Sequence, residues 1–126
     1  MTHRFSIFTL ASLLLLVCVG TSAKKRTFNE AKAIAQRQAT SLGATLSSAS
    51  IETAKRLNAS PATGESRAYY VFPHDKGMGF TIVSGDDLLP EIVAYSDRGS
   101  YDVAHLPDGY KMFLELYSDM VDGLAQ

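Results

Sequence analysis

The chain has 126 residues, with 12 Lys and Arg against 13 Asp and Glu and a formal net charge of −1. That balance lacks the dense basic stripe of a nucleic-acid binder. The single cysteine, Cys18, rules out an internal disulfide framework.

The N-terminus reads as a leader rather than as fold. Thr2-His3-Arg4 is a short basic start, Phe5 to Val19 is an apolar run containing Leu13-Leu14-Leu15-Leu16, and Thr21-Ser22-Ala23 supplies small residues. This is the layout of a secretory signal peptide cut after Ala23. The run is about fifteen residues long, short of the roughly twenty that cross a bilayer as a helix. A lipoprotein cut before Cys18 calls for a smaller residue than Val17, which argues against lipidation. Export to a periplasm or the cell exterior is therefore expected, with no membrane attachment after cleavage. The mature chain then has no cysteine, hence no thiolate nucleophile and no cysteine metal ligand. Residues 24–126 remain, enough for one domain that buries about 60–70% of its unfolded surface.

Charge is unevenly spread over that domain. Residues 24–56 carry Lys24, Lys25, Arg26, Lys32, Arg37, Lys55 and Arg56 against Glu30 and Glu52, whereas the acids dominate from Leu57 onward. An acidic half can meet a basic partner, but a solvated acidic face is the commoner meaning of such a bias.

Thr27-Phe28-Asn29-Glu30 is a capping box. Phe28, Ala31, Ile34, Ala35 and Leu42 follow at helical spacing, and Gly43 stands where a left-handed residue ends a helix. A helix over 28–42 is predicted, its alanine-rich stripe lying closely on a sheet. Residues 44–66 are rich in Ser, Ala and Thr and hold the turn residues Asn58-Ala59-Ser60-Pro61 and Thr63-Gly64. A short strand within 50–57 is the most this stretch offers. Arg67–Phe72 is a strand rich in strand formers. Pro73-His74-Asp75-Lys76-Gly77 turns the chain and Phe80–Val83 returns it as an antiparallel hairpin. A third strand runs from Pro90 to Tyr95, with the proline at its first position, where it is tolerated. Ser100-Tyr101-Asp102 is a candidate fourth piece. Pro107-Asp108 opens a last helix, with Tyr110, Phe113, Leu114, Tyr117, Met120, Val121 and Leu124 recurring at three and four. The expected fold class is α+β: a small single domain, a hairpin-meander antiparallel sheet with an N-terminal and a C-terminal helix packed on one face.

The inventory for chemistry is short. In Ser84-Gly85-Asp86-Asp87 two adjacent carboxylates can bind a divalent cation, but only with further oxygen ligands converging from elsewhere. The same residues turn a chain, and a structural turn is the stronger reading. His74 and His105 each fall in a predicted loop, where solvation is the ordinary fate. No G-x-S-x-G elbow, H-E-x-x-H or EF-hand loop occurs, so neither a serine nucleophile nor a dedicated metal site is expected. Gly77-Met78-Gly79 opens no helix and aims no dipole at a phosphate. Tyr69, Tyr70, Phe72 and Phe80 can form a binding platform or a buried sheet face, and burial is the simpler cause. Neither catalytic activity nor a cofactor is expected.

Tyr69–Phe72, Gly79-Phe80-Thr81-Ile82-Val83-Ser84-Gly85-Asp86-Asp87, Pro90–Ser96, Gly99 and Tyr101-Asp102 together resemble the propeptide of streptopain-like cysteine peptidases and their stand-alone Spi-type inhibitors. The first helix and Phe113–Tyr117 share the likeness. It implies an α+β domain, residues 24–126, that docks on such a peptidase and holds its active site shut. In the family the occluding contact comes from the loop before the last helix, where an asparagine enters the cleft. Here that candidate inhibitory loop is His105-Leu106-Pro107-Asp108-Gly109, which has no asparagine; Asp108 is the nearest counterpart in type and place. An aspartate brings a charge where the family has an amide, at several kcal/mol if buried unpaired. The expected function is inhibition in trans. One alternative is the propeptide of a zymogen separated from its catalytic domain, acting in cis. Another, of a different class, is a secreted binding module of the PepSY or cystatin-like kind.

Overall fold

Residues 24–59 and 68–124 are described by the computed structural model; residues 1–23, where a leader is predicted, and residues 60–67, which include the predicted strand start at Arg67, lie outside them. Helix α1 (Phe28–Ser41) starts at the predicted capping box. The Thr27 hydroxyl accepts from Glu30 N at 3.2 Å and the Glu30 carboxylate accepts from Thr27 N at 3.4 Å. It ends at Leu42, and Gly43 takes the left-handed φ of 77° that releases the chain. Ala31, Ile34, Ala35 and Ala39 are its buried face. Three of the four are alanines, which let the helix axis approach the sheet closely.

The stretch with a possible strand at 50–57 is instead a second helix, α2 (Ser48–Asn58). Ser47 caps it by accepting from Ser50 N, and Lys55 and Arg56 sit in its last turn, where cations suit the helix dipole. Ile51, Ala54 and Leu57 recur every three residues, and Ala54 is fully buried. Tertiary packing of that narrow stripe overrides a composition that reads as loop.

Strands β1 (Tyr69–Pro73), β2 (Phe80–Ser84) and β3 (Ile92–Ser96) form one antiparallel sheet in the order β1-β2-β3. Val71 faces Ile82, Phe72 faces Thr81, and Ala94 lies across from Ile82 on the other side. The register slips between Ile82 and Val83, so β3 begins at Ile92 rather than at the predicted Pro90. Residues 100–102 form no fourth strand. Their neighbour Gly99 makes an isolated parallel bridge to Met78.

The α+β class is as predicted, but the helices do not share one face. Tyr70, Phe72 and Val83 pack on Ala31, Ile34, Ala35 and Ala54 from α1 and α2. Val71 and Ile82 point the other way, onto Leu114 of helix α3 (Asp108–Leu124), with Phe80, Tyr101 and Tyr110 around them. Successive strand residues point to opposite faces, so a sheet covered on both sides needs an unbroken apolar run. Tyr69-Tyr70-Val71-Phe72 is that run. The outer edge of β1 is closed by Asn58, whose buried amide accepts from Val71 N at 2.9 Å and donates to Val71 O at 2.8 Å. A side chain thus completes hydrogen bonds that an exposed strand edge would leave open.

Candidate functional site

The candidate inhibitory loop hangs from the second core. Tyr101 enters it from one end, edge-on to Phe80 at 5.3 Å between ring centroids. Leu106 enters from the other, half-buried in the same cluster. Between these anchors Val103–His105 makes a single tight helical turn. Asp102 clips it from both sides: its carboxylate accepts from Ala104 N at 3.0 Å and from His105 Nδ1 at 2.6 Å. Those two bonds, the His105 one first, hold the Asp102 carboxyl below its ordinary range. Burial, reinforced by Tyr69 and Tyr110, pushes the Tyr101 phenol up to about 12. Pro107 O then accepts from Tyr110 N and Lys111 N and starts α3. Asp108 and Gly109, in the first turn of the helix, are exposed, as are Val103, Ala104 and His105. The result is a short protrusion with tethered ends.

Alongside it, α3 carries two apolar stripes. Tyr110, Leu114, Tyr117 and Val121 face inward. Met112, Leu116, Met120 and Leu124 recur every four residues on the outside, 63%, 62%, 46% and 45% exposed, with Phe113 beside them at 43%. The helix therefore exposes a contiguous apolar stripe of the kind that a partner surface can cover. The predicted periodicity included Met120 and Leu124 but passed over Met112 and Leu116; their i, i+4 spacing was the available signal.

Ser84-Gly85-Asp86-Asp87 lies elsewhere in hydrogen-bonding terms. Ser84 Oγ donates to Asp86 O and accepts from Asp86 N, and Asp86 Oδ1 accepts from Leu88 N at 2.9 Å. Gly85 N donates to Ala68 O, and the turn is paired with residues 24–26 of the N-terminal arm. Among the described residues it shares no hydrogen bond with 105–109. Asp86 is 2% exposed, so its carboxylate is committed to the turn rather than offered to a ligand. No three His, Cys, Asp or Glu side chains converge to hold a metal among the described residues.

The two histidines part company. His105 stands out on the loop. His74 is not solvated, as a loop position implied, but 5% exposed, with Nδ1 at 2.9 Å from Met78 O and Nε2 at 2.7 Å from the Thr81 hydroxyl. The predicted turn around it folds back into the hairpin and buries its ring.

Comparison with known proteins gives two findings. The family model described as Spi protease inhibitor matches residues 23–121. The chain is also 29% identical over 124 residues to the thiol protease/hemagglutinin PrtT of Porphyromonas gingivalis, covering 95% of this chain but only 14% of that protein's length. No solved structure matches the chain.

Proposed function

The chain belongs to the Spi protease inhibitor family, and from that membership we propose that it is an exported inhibitor that docks on a streptopain-like cysteine peptidase and closes its cleft. The observation that carries this reading is the juxtaposition of a tethered, exposed loop with an uncovered apolar helix face. Residues 105–109 supply the plug, with the exposed Asp108 the nearest counterpart of the family's occluding asparagine. The outer stripe of α3 supplies contact area, because a five-residue loop falls short of the roughly 800 Å² per partner of an ordinary stable interface. Rigidity matters as much as area. The Asp102–His105 clip and the Tyr101 and Leu106 anchors order the loop before binding, so little conformational entropy is lost on docking. Inhibition needs no catalytic group from the inhibitor.

Calorimetric titration against an active-site-blocked streptopain-like peptidase tests the helix face. Leu116→Glu with Met120→Glu is expected to weaken binding by at least about tenfold, the scale of losing apolar anchors at an interface centre. An unchanged Kd would remove α3 from the interface.

The match to one-seventh of a thiol protease supports a second reading, in which the same interface shields a peptidase in cis. Reading the genome downstream of Gln126 separates the two, since a peptidase domain there would carry its own cysteine and histidine.

A further inference from the structure

Residues 24–26 run as a short ladder along the Ser84–Asp87 turn. Lys24 N donates to Asp87 Oδ1 at 2.8 Å, and Asp87 N returns a bond to Lys24 O at 3.0 Å. Lys25 and Asp86 form an antiparallel bridge, and Arg26 N donates to Gly85 O at 2.8 Å. The Arg26 guanidinium reaches past them to Ser84 O at 3.1 Å and Asp86 O at 2.6 Å, while the Tyr70 hydroxyl donates to Arg26 O at 2.7 Å. Every residue of the arm is thus fastened, and the ladder's first rung is a carboxylate.

Other carboxylates of the chain also accept backbone N–H groups, Asp75 from Ser47 and Asp102 from Ala104, but this one lies at the expected leader junction. A backbone N–H inside a continuous chain is neutral, and a carbonyl would satisfy it. A carboxylate is suited to an α-ammonium, with which it makes a charge-assisted bond roughly twice as strong as a neutral one. The residue before Lys24 is Ala23, the last of three small residues that follow the apolar run. The family match begins at residue 23, beside the same junction.

We propose that Asp87 captures the α-ammonium created when the expected leader is cut between Ala23 and Lys24. A leader peptidase selective for small residues would hydrolyse the bond, one water adding across it to leave a carboxylate on Ala23 and an amine on Lys24. The amine takes up a proton from solvent and remains at the place where the amide N–H already lies. Ser84-Gly85-Asp86-Asp87 is on this reading the socket of the mature N-terminus. Lys24, Lys25 and Arg26 crowd positive charge at the same end, so Asp87 also offsets repulsion that a new ammonium would otherwise meet.

The full chain with its own leader, expressed in an exporting bacterial host, is the material for the test, as wild type and as Asp87→Asn. This substitution keeps the shape and an oxygen acceptor, so folding is preserved. Intact mass and N-terminal sequencing of the exported protein should place the first residue at Lys24. A start at Cys18 or any other residue, or a retained leader, would overturn the processing site. The same samples, treated with limiting acetic anhydride and mapped by mass, report the reactivity of the Lys24 α-amine relative to the lysine side chains. Acetylation of that amine should be roughly two- to fivefold slower in the wild type than in Asp87→Asn, the effect of an exposed charge pair on amine protonation. Equal rates in the two proteins would overturn the socket.

Discussion

The His74 ring and the Thr81 hydroxyl meet at 2.7 Å inside the β1–β2 hairpin, both nearly shut off from water. A carbonyl only accepts, so Nδ1 donates to Met78 O, leaving Nε2 to pair with Thr81. This side chain fastens the hairpin loop from within, beside the backbone bonds His74 N to Gly79 O and Met78 N to Asp75 O. His74→Ala orphans a buried hydroxyl and a carbonyl, and a loss of about 1–3 kcal/mol is expected. Urea unfolding checks it: the midpoint should fall with an unchanged slope. An unchanged midpoint would show that water replaces the ring at no cost.

Asp75 ties the same loop to the start of α2. Its carboxylate accepts from the Thr45 hydroxyl at 2.7 Å, Ser47 N at 3.0 Å, the Ser47 hydroxyl at 2.7 Å and the Ser50 hydroxyl. These donors, Ser50 foremost, hold its carboxyl well below the usual carboxylate range. A depressed folded pKa stabilises the fold above the unfolded value of about 3.9, and that stabilisation is lost as pH falls from there towards the folded pKa. The group is open to solvent, so Asp75→Asn should cost about 1 kcal/mol at neutral pH rather than a buried pair's several. Wild type and variant should therefore differ steadily from pH 7 to about 5 and converge below about pH 4. A gap that persists undiminished at about pH 2–3 would contradict the assignment.

Gly79 and Gly43 both have positive φ, at 96° and 77°, but their surroundings differ. A Cβ at Gly79 would lie 1.8 Å from Ser96 O, in backbone that cannot swing aside, whereas at Gly43 it meets nothing within 4 Å. Gly43→Ala should cost about 1 kcal/mol, the left-handed penalty alone. Gly79→Ala adds a steric clash with β3 and should cost well over about 2 kcal/mol. Thermal unfolding of the pair gives the comparison, and equal losses would contradict it.

Tyr110 presents the opposite case. Its hydroxyl is the one buried side-chain polar atom without a hydrogen-bond partner among the described residues, while its ring packs edge-on to Phe80 at 6.0 Å. Tyr110→Phe keeps the packing and removes an unsatisfied group. Stability should hold or rise by up to about 1 kcal/mol, measured as the unfolding midpoint. A clear loss would reveal a hydrogen bond to the hydroxyl in solution.

Local chemistry made much of this fold readable in advance. Thr27 with Glu30 marks the start of α1, Gly43 its end, and the glycine-bearing turn after Phe72 the hairpin. Position in three dimensions was harder to read. The Tyr69–Phe72 run does not say that two layers cover it, and only the packing of Leu114 against Val71 and Ile82 shows the second. Helix α2 was hidden because Ser, Ala and Thr dominate it; Ser47 and the 51-54-57 spacing were signals outweighed by the turn residues that follow. Asn58 and His74 sit in turn-like strings, yet Asn58 spends its amide on the backbone of Val71 in β1, and His74 its ring on Met78 and Thr81 across the hairpin. In the candidate site the loop before α3 was singled out by the family likeness alone. The outer stripe of α3 was not, because inward and outward apolar residues merge into one run in a linear sequence.

The most direct measurement is residual activity of a streptopain-like peptidase mixed with the purified protein, wild type beside Asp108→Ala and a chain with residues 105–109 replaced by Gly and Ser. Stoichiometric inhibition by the wild type is expected, with its loss on loop replacement and partial loss in Asp108→Ala. Full inhibition by the loop-replaced protein, or none by a folded wild type against several such peptidases, would contradict that expectation.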